Sequence, residues 1–441
     1  MAGGNWTTMN KVRPGVYINV SSEPKPLGTI GERGITTMAL PLSWGPSKTV
    51  ISIESSAVLG ADFRNVLGYD ITDLNVLLIK EALKRAKTLL LYRLNEGTKA
   101  AGTVGALTVT AKYGGVRGND ITIAVQQNID DDTLFDVKTF VGGREVDLQT
   151  VPDSGSLIPN NWVVFGSGEL TASAGVPLTG GDDGTVTNAD HTDYLAAIEL
   201  FDFHTIALAS EDPTLKSVYV SFAKRLRDDE GQKIQAVVAK YPAADYEGVI
   251  GVKNGVVLAD GTKITAEQAT AWVAGATAAA QMNESLTYQA YDDAVDVDER
   301  FTNSQIEAAI NNGDFLFTPN NGRAVVETDI NTFTSFSPTK RRHFSKNRVL
   351  RVLDGIANDF KRIFEEFYIG KVDNNPDGRN LFKGECIKYM ETLQDINAIQ
   401  NFDAQNDVQV REGDESDSVY ADVWVQPVDS MEKFYFDIKV R

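Results

Sequence analysis

The sequence predicts an α/β multidomain protein: an α/β core, an inserted β-sandwich, a C-terminal α+β domain, and extended strand arms at the N- and C-terminal ends. Three observations carry this. Helical and strand patterns alternate over residues 31–95 and again over 185–335, which favours a largely parallel sheet covered by helices. Over 96–184 the helical period vanishes, and short β-type runs separated by Gly, Asp and Asn turns replace it. Both extremities carry apolar residues at period two. At about 150 residues per domain, 441 residues suggest roughly three domains, and a hydrophobic content of 42% excludes a wholly disordered chain.

Residues 1–30 read as an N-terminal arm rich in Gly, Pro, Ser and Thr. Within it, Val16, Ile18 and Val20 alternate with Tyr17 and Asn19, the period of a strand. In 31–95, Thr36 to Leu42 is a short apolar run. Asp70-Ile71-Thr72 can cap a helix bearing Leu74, Leu77, Leu78, Ala82 and Leu83, and Leu89 to Tyr92 follows as a buried strand. The insert, 96–184, carries β-type runs at Leu107 to Ala111, Ile121 to Gln126, Leu134 to Val141 and Trp162 to Phe165, the spacing of a small sandwich.

Alternation resumes over 185–335. Helices are expected near Asp193 to Phe201, Lys216 to Asp228, Glu267 to Met282 and Ser304 to Ile310. Strands are expected at His204 to Ala209, Ile234 to Ala239, Val249 to Val252 and Phe315 to Phe317. In 336–441, Ser345 can cap a long helix running from Val349 past Phe364. A second helix, about Leu381 to Leu393, follows a turn at Asn375-Pro376-Asp377-Gly378. Three strands close the chain: Asp407 to Arg411, Ser418 to Gln426 and Lys433 to Arg441.

The composition leaves little for catalysis. One cysteine, Cys386, excludes an intrachain disulfide and a Cys-based zinc site, and it reads as an inert packed thiol. Three histidines, His191, His204 and His343, have no partner at metal-ligand spacing and read as structural. No GxxxxGK[ST], GxGxxG or GxSxG occurs. Gly114-Gly115-Val116-Arg117-Gly118 reads as a turn, and the acidic run Asp292 to Glu299 as a solvated loop before a calcium site. No catalytic, cofactor-binding or metal-ligating residue is therefore assigned. Forty-two basic against 61 acidic residues give a net charge of −19, which disfavours nucleic acid as a partner. No apolar run reaches the ~18 residues of a membrane span, and the N-terminal residues lack the pattern of a secretory signal, so membrane insertion is not expected.

The two ends are the informative feature. An isolated strand cannot be stable alone, and unpaired strand edges are templates for another chain. The two ends either pair within one chain or add to the sheet of a neighbour. In the second case the contact is heterologous and propagates into rings or helical filaments.

Three stretches carry a resemblance: Arg13-Pro14-Gly15-Val16-Tyr17, Asn119-Asp120-Ile121, and the ending Val425-Gln426-Pro427-Val428-Asp429-Ser430-Met431-Glu432-Lys433-Phe434-Tyr435-Phe436. With the order of blocks, they make the sequence similar to the tail sheath proteins of contractile bacteriophages and phage-tail-like bacteriocins, over essentially the whole chain. The resemblance implies a structural, non-enzymatic subunit of a homo-oligomer, stacked as hexameric rings into a helical sheath around a tail tube protein. Baseplate and tail terminator proteins are further implied partners. It also implies a subtilisin-like topology for the α/β core, without a protease triad, and a C-terminal domain facing the tube. Arms would be exchanged between subunits, through Val16, Tyr17, Ile18 and Val20 at one end and Phe434, Phe436, Ile438 and Val440 at the other. The implied location is a virion tail or tail-like particle, assembled in the bacterial host cytoplasm. A sheath component of another contractile injection system or secretion apparatus is the alternative, and a hydrolase on the α/β core is disfavoured by the missing motifs.

Between Lys340 and Arg351 the basic residues Lys340, Arg341, Arg342, Lys346, Arg348 and Arg351 occur with no acid among them. This local reversal of charge predicts an electrostatic contact with an acidic tube surface or neighbouring subunit. The alternative is pairing within the block, with Asp403, Asp407, Glu412, Asp414, Glu415 and Asp417.

Overall fold

A computed structural model describes residues 2–4, 15–17 and 30–440. The chain divides into two compact units. One holds the N-terminal segment to Gly31 with Asp359–Gln426, and the other holds Glu32–Asn358 with Pro427–Arg441.

In the first unit, Ala2–Gly4 (β1) pairs in parallel with Gly15–Tyr17 (β2). The expected arm residues Val16 and Tyr17 thus lie in a short strand, whereas Ile18 and Val20 fall outside the described residues.

The second unit begins with β3 (Ile35–Leu40), the edge strand β4 (Val50–Glu54), the helices α1 (Ala61–Leu67) and α2 (Leu77–Leu83), and β5 (Thr88–Arg93). The helix expected behind a cap at Asp70-Ile71-Thr72 opens as a 3-10 turn, Leu74–Val76, whose cap is instead Asp73, accepting from the Asn75 N–H, and α2 follows at Leu77.

The sandwich follows: β6 (Ala101–Val104), β7 (Leu107–Ala111), β8 (Ile121–Gln127), β9 (Phe135–Val141), β10 (Arg144–Val151), β11 (Val163–Phe165) and β12 (Ser173–Pro177). Its two antiparallel sheets, ordered β10-β9-β8-β12 and β11-β7-β6, close on one core that includes Val109, Ile123, Val137 and Trp162. Trp44, from outside the sandwich strands, is buried in that core and stacks on Trp162 at 5.1 Å. Buried Arg93, at the end of β5, donates to the carbonyls of Gly45 (2.8 Å), Gly114 (2.9 Å) and Glu96 (3.2 Å). The Gly114–Gly115 turn is tight because Gly115 has φ +127° and an added Cβ would lie 2.0 Å from the Ser43 carbonyl.

The core then continues with α3 (Asn188–Ile198), β13 (Thr205–Ala207), α4 (Pro213–Asp228), β14 (Gln235–Ala239), β15 (Val249–Val252), β16 (Val256–Leu258), β17 (Lys263–Ile264), α5 (Ala266–Ala279), β18 (Ala294–Val297), α6 (Asn303–Asn311), β19 (Asp314–Phe315), β20 (Phe317–Asn320) and β21 (Arg323–Val326). Local chemistry starts these helices: capping boxes Thr187/Asp190, Thr265/Gln268 and Thr302/Gln305, and for α4 the Asp212 cap followed by Pro213 in the first turn.

Seven strands form the central sheet in the order β19-β15-β14-β13-β3-β5-β4, all parallel except β4. Period-two alternation sends β5 residues Leu89 and Leu91 to one core and Leu90 and Tyr92 to the other. The first core is covered by α2 and α5, the second by α3 and α4, giving three layers. The expected strand Phe315 to Phe317 is split: Phe315 closes the sheet edge while Phe317 enters the β20–β21 hairpin.

The long helix α7 (Asn347–Phe367) is followed by α8 (Pro376–Asp395) and the hairpin β22 (Val408–Glu412) and β23 (Val419–Val423). Two expectations are corrected. Ser345 does not cap α7; it ends a 3-10 turn and its hydroxyl donates to the Arg342 carbonyl at 2.7 Å. The Asn375 to Gly378 turn is the first turn of α8, with Asn375 accepting from the Gly378 N–H and Pro376 in the first turn.

The α2–α5 packing depends on a missing side chain. A Cβ on Gly275 would lie 2.3 Å from the Ala82 carbonyl oxygen, which is backbone and cannot rotate away. Gly275→Ala is therefore expected to cost about 1–3 kcal/mol by overpacking, despite the better helix propensity of alanine, and to lower the thermal unfolding midpoint.

Candidate functional site

The residues singled out as chemical candidates are held in structural roles. Cys386 is buried, and burial pushes its thiol up to about 12. His191 Nδ1 shares a hydrogen bond with the Tyr219 hydroxyl at 2.8 Å. His204 Nδ1 accepts from the Ile35 N–H at 3.3 Å, and burial, with Arg33 nearby, lowers its pKa to about 3, so it stays neutral. The acidic run is used piecemeal: Asp292 takes both Arg85 and the Trp272 indole N–H, Asp296 takes Arg300, and Asp298 accepts from the Gly255 N–H.

The C-terminal segment is different. In the first unit the Gln400 N–H donates to the Gln426 carbonyl at 3.0 Å, the last such tie before Pro427. In the second unit Glu432 is gripped from three directions. Lys346 Nζ pairs with its Oε2, and the hydroxyls of Thr287 (2.9 Å) and Ser430 (3.1 Å) donate to its Oε1. Burial raises the Glu432 pKa, but Lys346 and the two hydroxyls outweigh it and hold the carboxyl below its ordinary range.

Beyond Glu432 the chain is solvated. Phe436, Ile438 and Val440 are 83%, 87% and 96% exposed, Phe434 is exposed as well, and residues 433–440 join no strand among the described residues. The expected strand Lys433 to Arg441 is therefore absent as a paired strand in the single chain, with Arg441 outside the described residues. In the first unit β22 and β23 form a two-stranded sheet, so one edge of each is unpaired among the described residues. Val408 is buried on β22, while Val419, Tyr420 and the following Trp424 are exposed.

The first unit also holds a clamp at its N-terminal segment. The Gly31 N–H donates to both Asp359 oxygens (3.0 and 3.1 Å), and the Tyr389 hydroxyl donates to Oδ2 at 2.6 Å.

The basic segment is divided by burial. Lys340 pairs with Glu247 and Lys346 with Glu432. Arg351 is buried, donating to the Glu284 carbonyl (2.6 Å) and to Asp329 (3.3 Å). Asp329 also accepts from Asn347 Nδ2 (2.9 Å) and the Leu286 N–H (3.0 Å). Arg348 is half-buried, and burial, partly offset by Asp429, lowers its pKa. Arg341 and Arg342 are exposed and have no carboxylate partner among the described residues. Within the second unit the acids that meet Lys340, Lys346 and Arg351 are Glu247, Glu432 and Asp329, and one expectation changes: Arg351 is buried and does not belong to a surface patch.

Two features escaped sequence reasoning. Glu432 lies within the quoted ending, yet its partners are 86 and 145 residues away. Asp359 is a polar residue in an amphipathic helix, and nothing local marks Gly31, 328 residues away, as its partner.

A layered α/β core carrying a β-sandwich, with a solvated apolar segment beyond it, describes a structural building block. Comparison with known proteins makes this specific. Four family descriptions match in succession: tail sheath protein Gp18 domain III N-terminal region (33–94), phage tail sheath protein beta-sandwich domain (95–183), phage tail sheath protein central domain (184–332) and phage tail sheath C-terminal domain (339–441). A crystal structure of a sheath tail protein from Desulfitobacterium hafniense is 62% identical with a TM-score of 0.87, covering 96% of this chain and 99% of that one. A second, from Listeria innocua, is 41% identical with a TM-score of 0.78, covering 92% and 95%. The phage-like element PBSX protein XkdK of Bacillus subtilis strain 168 is 40% identical over the full length of both chains. The chain belongs to the phage tail sheath protein family, whose members are structural proteins and not enzymes.

The buried and exposed arginines should separate cleanly in a stability measurement. Arg351→Met strands the buried Asp329 carboxylate and is expected to cost about 3–5 kcal/mol. Arg341→Glu with Arg342→Glu is expected to leave the thermal midpoint where it was.

Proposed function

We propose that this chain is the subunit of a contractile tail sheath that polymerises around a tail tube through exchange of β-strands and shortens to drive the tube through a cell envelope. In this reading 31–95 and 185–335 form the sheath core, 96–184 the inserted sandwich, and 336–441 the C-terminal domain. The observation that carries it is the C-terminal arm: eight residues, 433–440, with apolar side chains at alternate positions and no strand partner among the described residues.

In a neighbour, the unpaired edges of the β22–β23 hairpin offer the complementary ladder. Each backbone hydrogen bond formed contributes roughly 0.5–1.5 kcal/mol net. Covering Phe434, Phe436 and Ile438 contributes about 1.5–3 kcal/mol for each side chain fully buried. The N-terminal arm, with Val16, Tyr17, Ile18 and Val20, is assigned the same role at the other end. Because the donor and acceptor surfaces differ, the contact is heterologous and suits stacked hexameric rings and a helical sheath.

Arg341 and Arg342, with Lys340, Lys346 and Arg348 beside them, are the part of the basic segment assigned to the tube or a neighbour. Baseplate and terminator proteins would cap the polymer, and the particle would be a phage tail or a tail-like particle assembled in the host cytoplasm. The PBSX relative favours a phage-like element as the setting. Energy for shortening is assigned to packing between subunits, with no nucleotide.

Electron microscopy tests the arm directly. The intact chain is expected to form tubes or rings, and a chain lacking Lys433 to Arg441 only small soluble species. Polymers that survive the deletion would refute strand exchange at this end. Reversing Arg341 and Arg342 to Glu is expected to abolish tube-guided assembly; normal assembly at low salt would overturn their assignment. Contraction of purified particles that requires ATP would contradict the nucleotide-free mechanism.

A further inference from the structure

We infer that Glu432 is a latch that fixes where the C-terminal arm leaves the molecule and so sets the arm's reach. This rests on the strand-exchange reading above and adds a regulatory contact to it. The latch sits at the boundary itself: the residue before the exposed stretch is the one whose carboxylate is held. Its three partners come from separate parts of the second unit, Lys346 just before α7, Thr287 in the loop after α5, and Ser430 two residues upstream.

The grip is continuous with the interior. The Thr287 hydroxyl, which donates to Glu432, accepts from the Asp329 N–H at 3.0 Å. Asp329 is the buried acid that receives Asn347 and Arg351. A charge-assisted contact backed by a buried network is directional and hard to displace. Glu432 is therefore tied to groups that do not move independently of the core, whereas Lys433 onward is tied to nothing comparable among the described residues; the Lys439–Asp437 pair is internal to the arm.

The consequence is a change of tether length. With the latch closed, the free arm is 433–441, nine residues, a reach of about 30 Å at ~3.3 Å per residue. With it open, the last backbone tie is at Gln426 and Pro427, and the free length becomes 428–441, fourteen residues. Local concentration at a matched site falls roughly as the −3/2 power of tether length, so opening the latch reduces capture about twofold. It also lets the arm reach wrong sites.

The test uses the full chain and two single variants, Glu432→Gln and Lys346→Met, with their double variant. Hydrogen exchange is read at residues 428–432, with β3 as the folding control, and the concentration threshold for polymer formation is measured alongside. Either single variant is expected to speed exchange at 428–432 at least tenfold, to leave β3 unchanged, and to raise the threshold about twofold. The double variant is expected to do no more than a single one, because both remove the same contact. Unchanged exchange at 428–432 in both single variants, or a wild-type threshold in both, would overturn the latch. Deletion of 433–441 separates the two ideas. If deletion abolishes polymers while the latch variants behave as wild type, the latch alone fails. If the deleted chain still polymerises, strand exchange fails and this inference fails with it.

Discussion

On the proposed function, unfinished backbone hydrogen bonding is the constraint on which the rest of this molecule's behaviour depends. Residues 433–440 and the outer edges of β22 and β23 have no ladder partner among the described residues. In water such groups are solvated and cost little. They become expensive only when buried without a partner. An arm of this kind is tolerated in a dissolved subunit, and on the proposed function it takes a site that completes the ladder and covers its apolar face at once. A free apolar helix could be satisfied by any greasy groove; a strand needs an edge of matching register.

The interior is arranged in the opposite way. The central sheet is covered on both faces, and charged groups beside it are paired, as where Arg227 makes a two-pronged contact with Asp354 at 2.7 and 2.8 Å and also donates to the Ile234 carbonyl. The sandwich is fixed in the same manner by Arg93 and by Asn95, which bridges Leu42 and the Asp183 carbonyl. These contacts are short and within one unit, so they resist deformation. On the proposed function, the second unit would carry load without remodelling, and change would be confined to surfaces and arms.

Much of this was legible in the sequence, for reasons visible in particular elements. β14 carries the apolar run Ala236 to Ala239 and β5 the run Leu89 to Tyr92, because both faces of these strands are buried, so both runs are readable in the sequence. β10 is not, since Glu145, Asp147 and Gln149 sit on an outer strand that is largely solvated, and its pattern is nearly polar. Val50–Glu54 is hidden for a different reason: Val50 and Ile51 adjoin and break the period of two in a half-exposed antiparallel edge. The period-two pattern after Lys433 is real, but period two reports which side chains share a face. It does not report which chain supplies the partner. Charge counting failed in a complementary way. Six basic residues without an acid look like one patch, yet Arg351 lies four residues beyond Asn347 on α7 and meets Asp329 inside. Only folding distinguishes it from Arg341.

That distinction bears on how a sheath could hold together while its lattice changes. Strand ladders are directional and lose everything when slipped by one residue. Contacts between exposed charges fall off gradually with distance and are screened by salt. A polymer that must keep its subunits linked while they re-register needs both kinds, on separate parts of the surface. This chain has candidates for each: a latched arm whose side chains alternate, and two exposed arginines with no carboxylate of their own among the described residues. The arm would preserve connectivity because no partial slip is tolerated. The arginines would permit movement because their attraction does not depend on a single geometry.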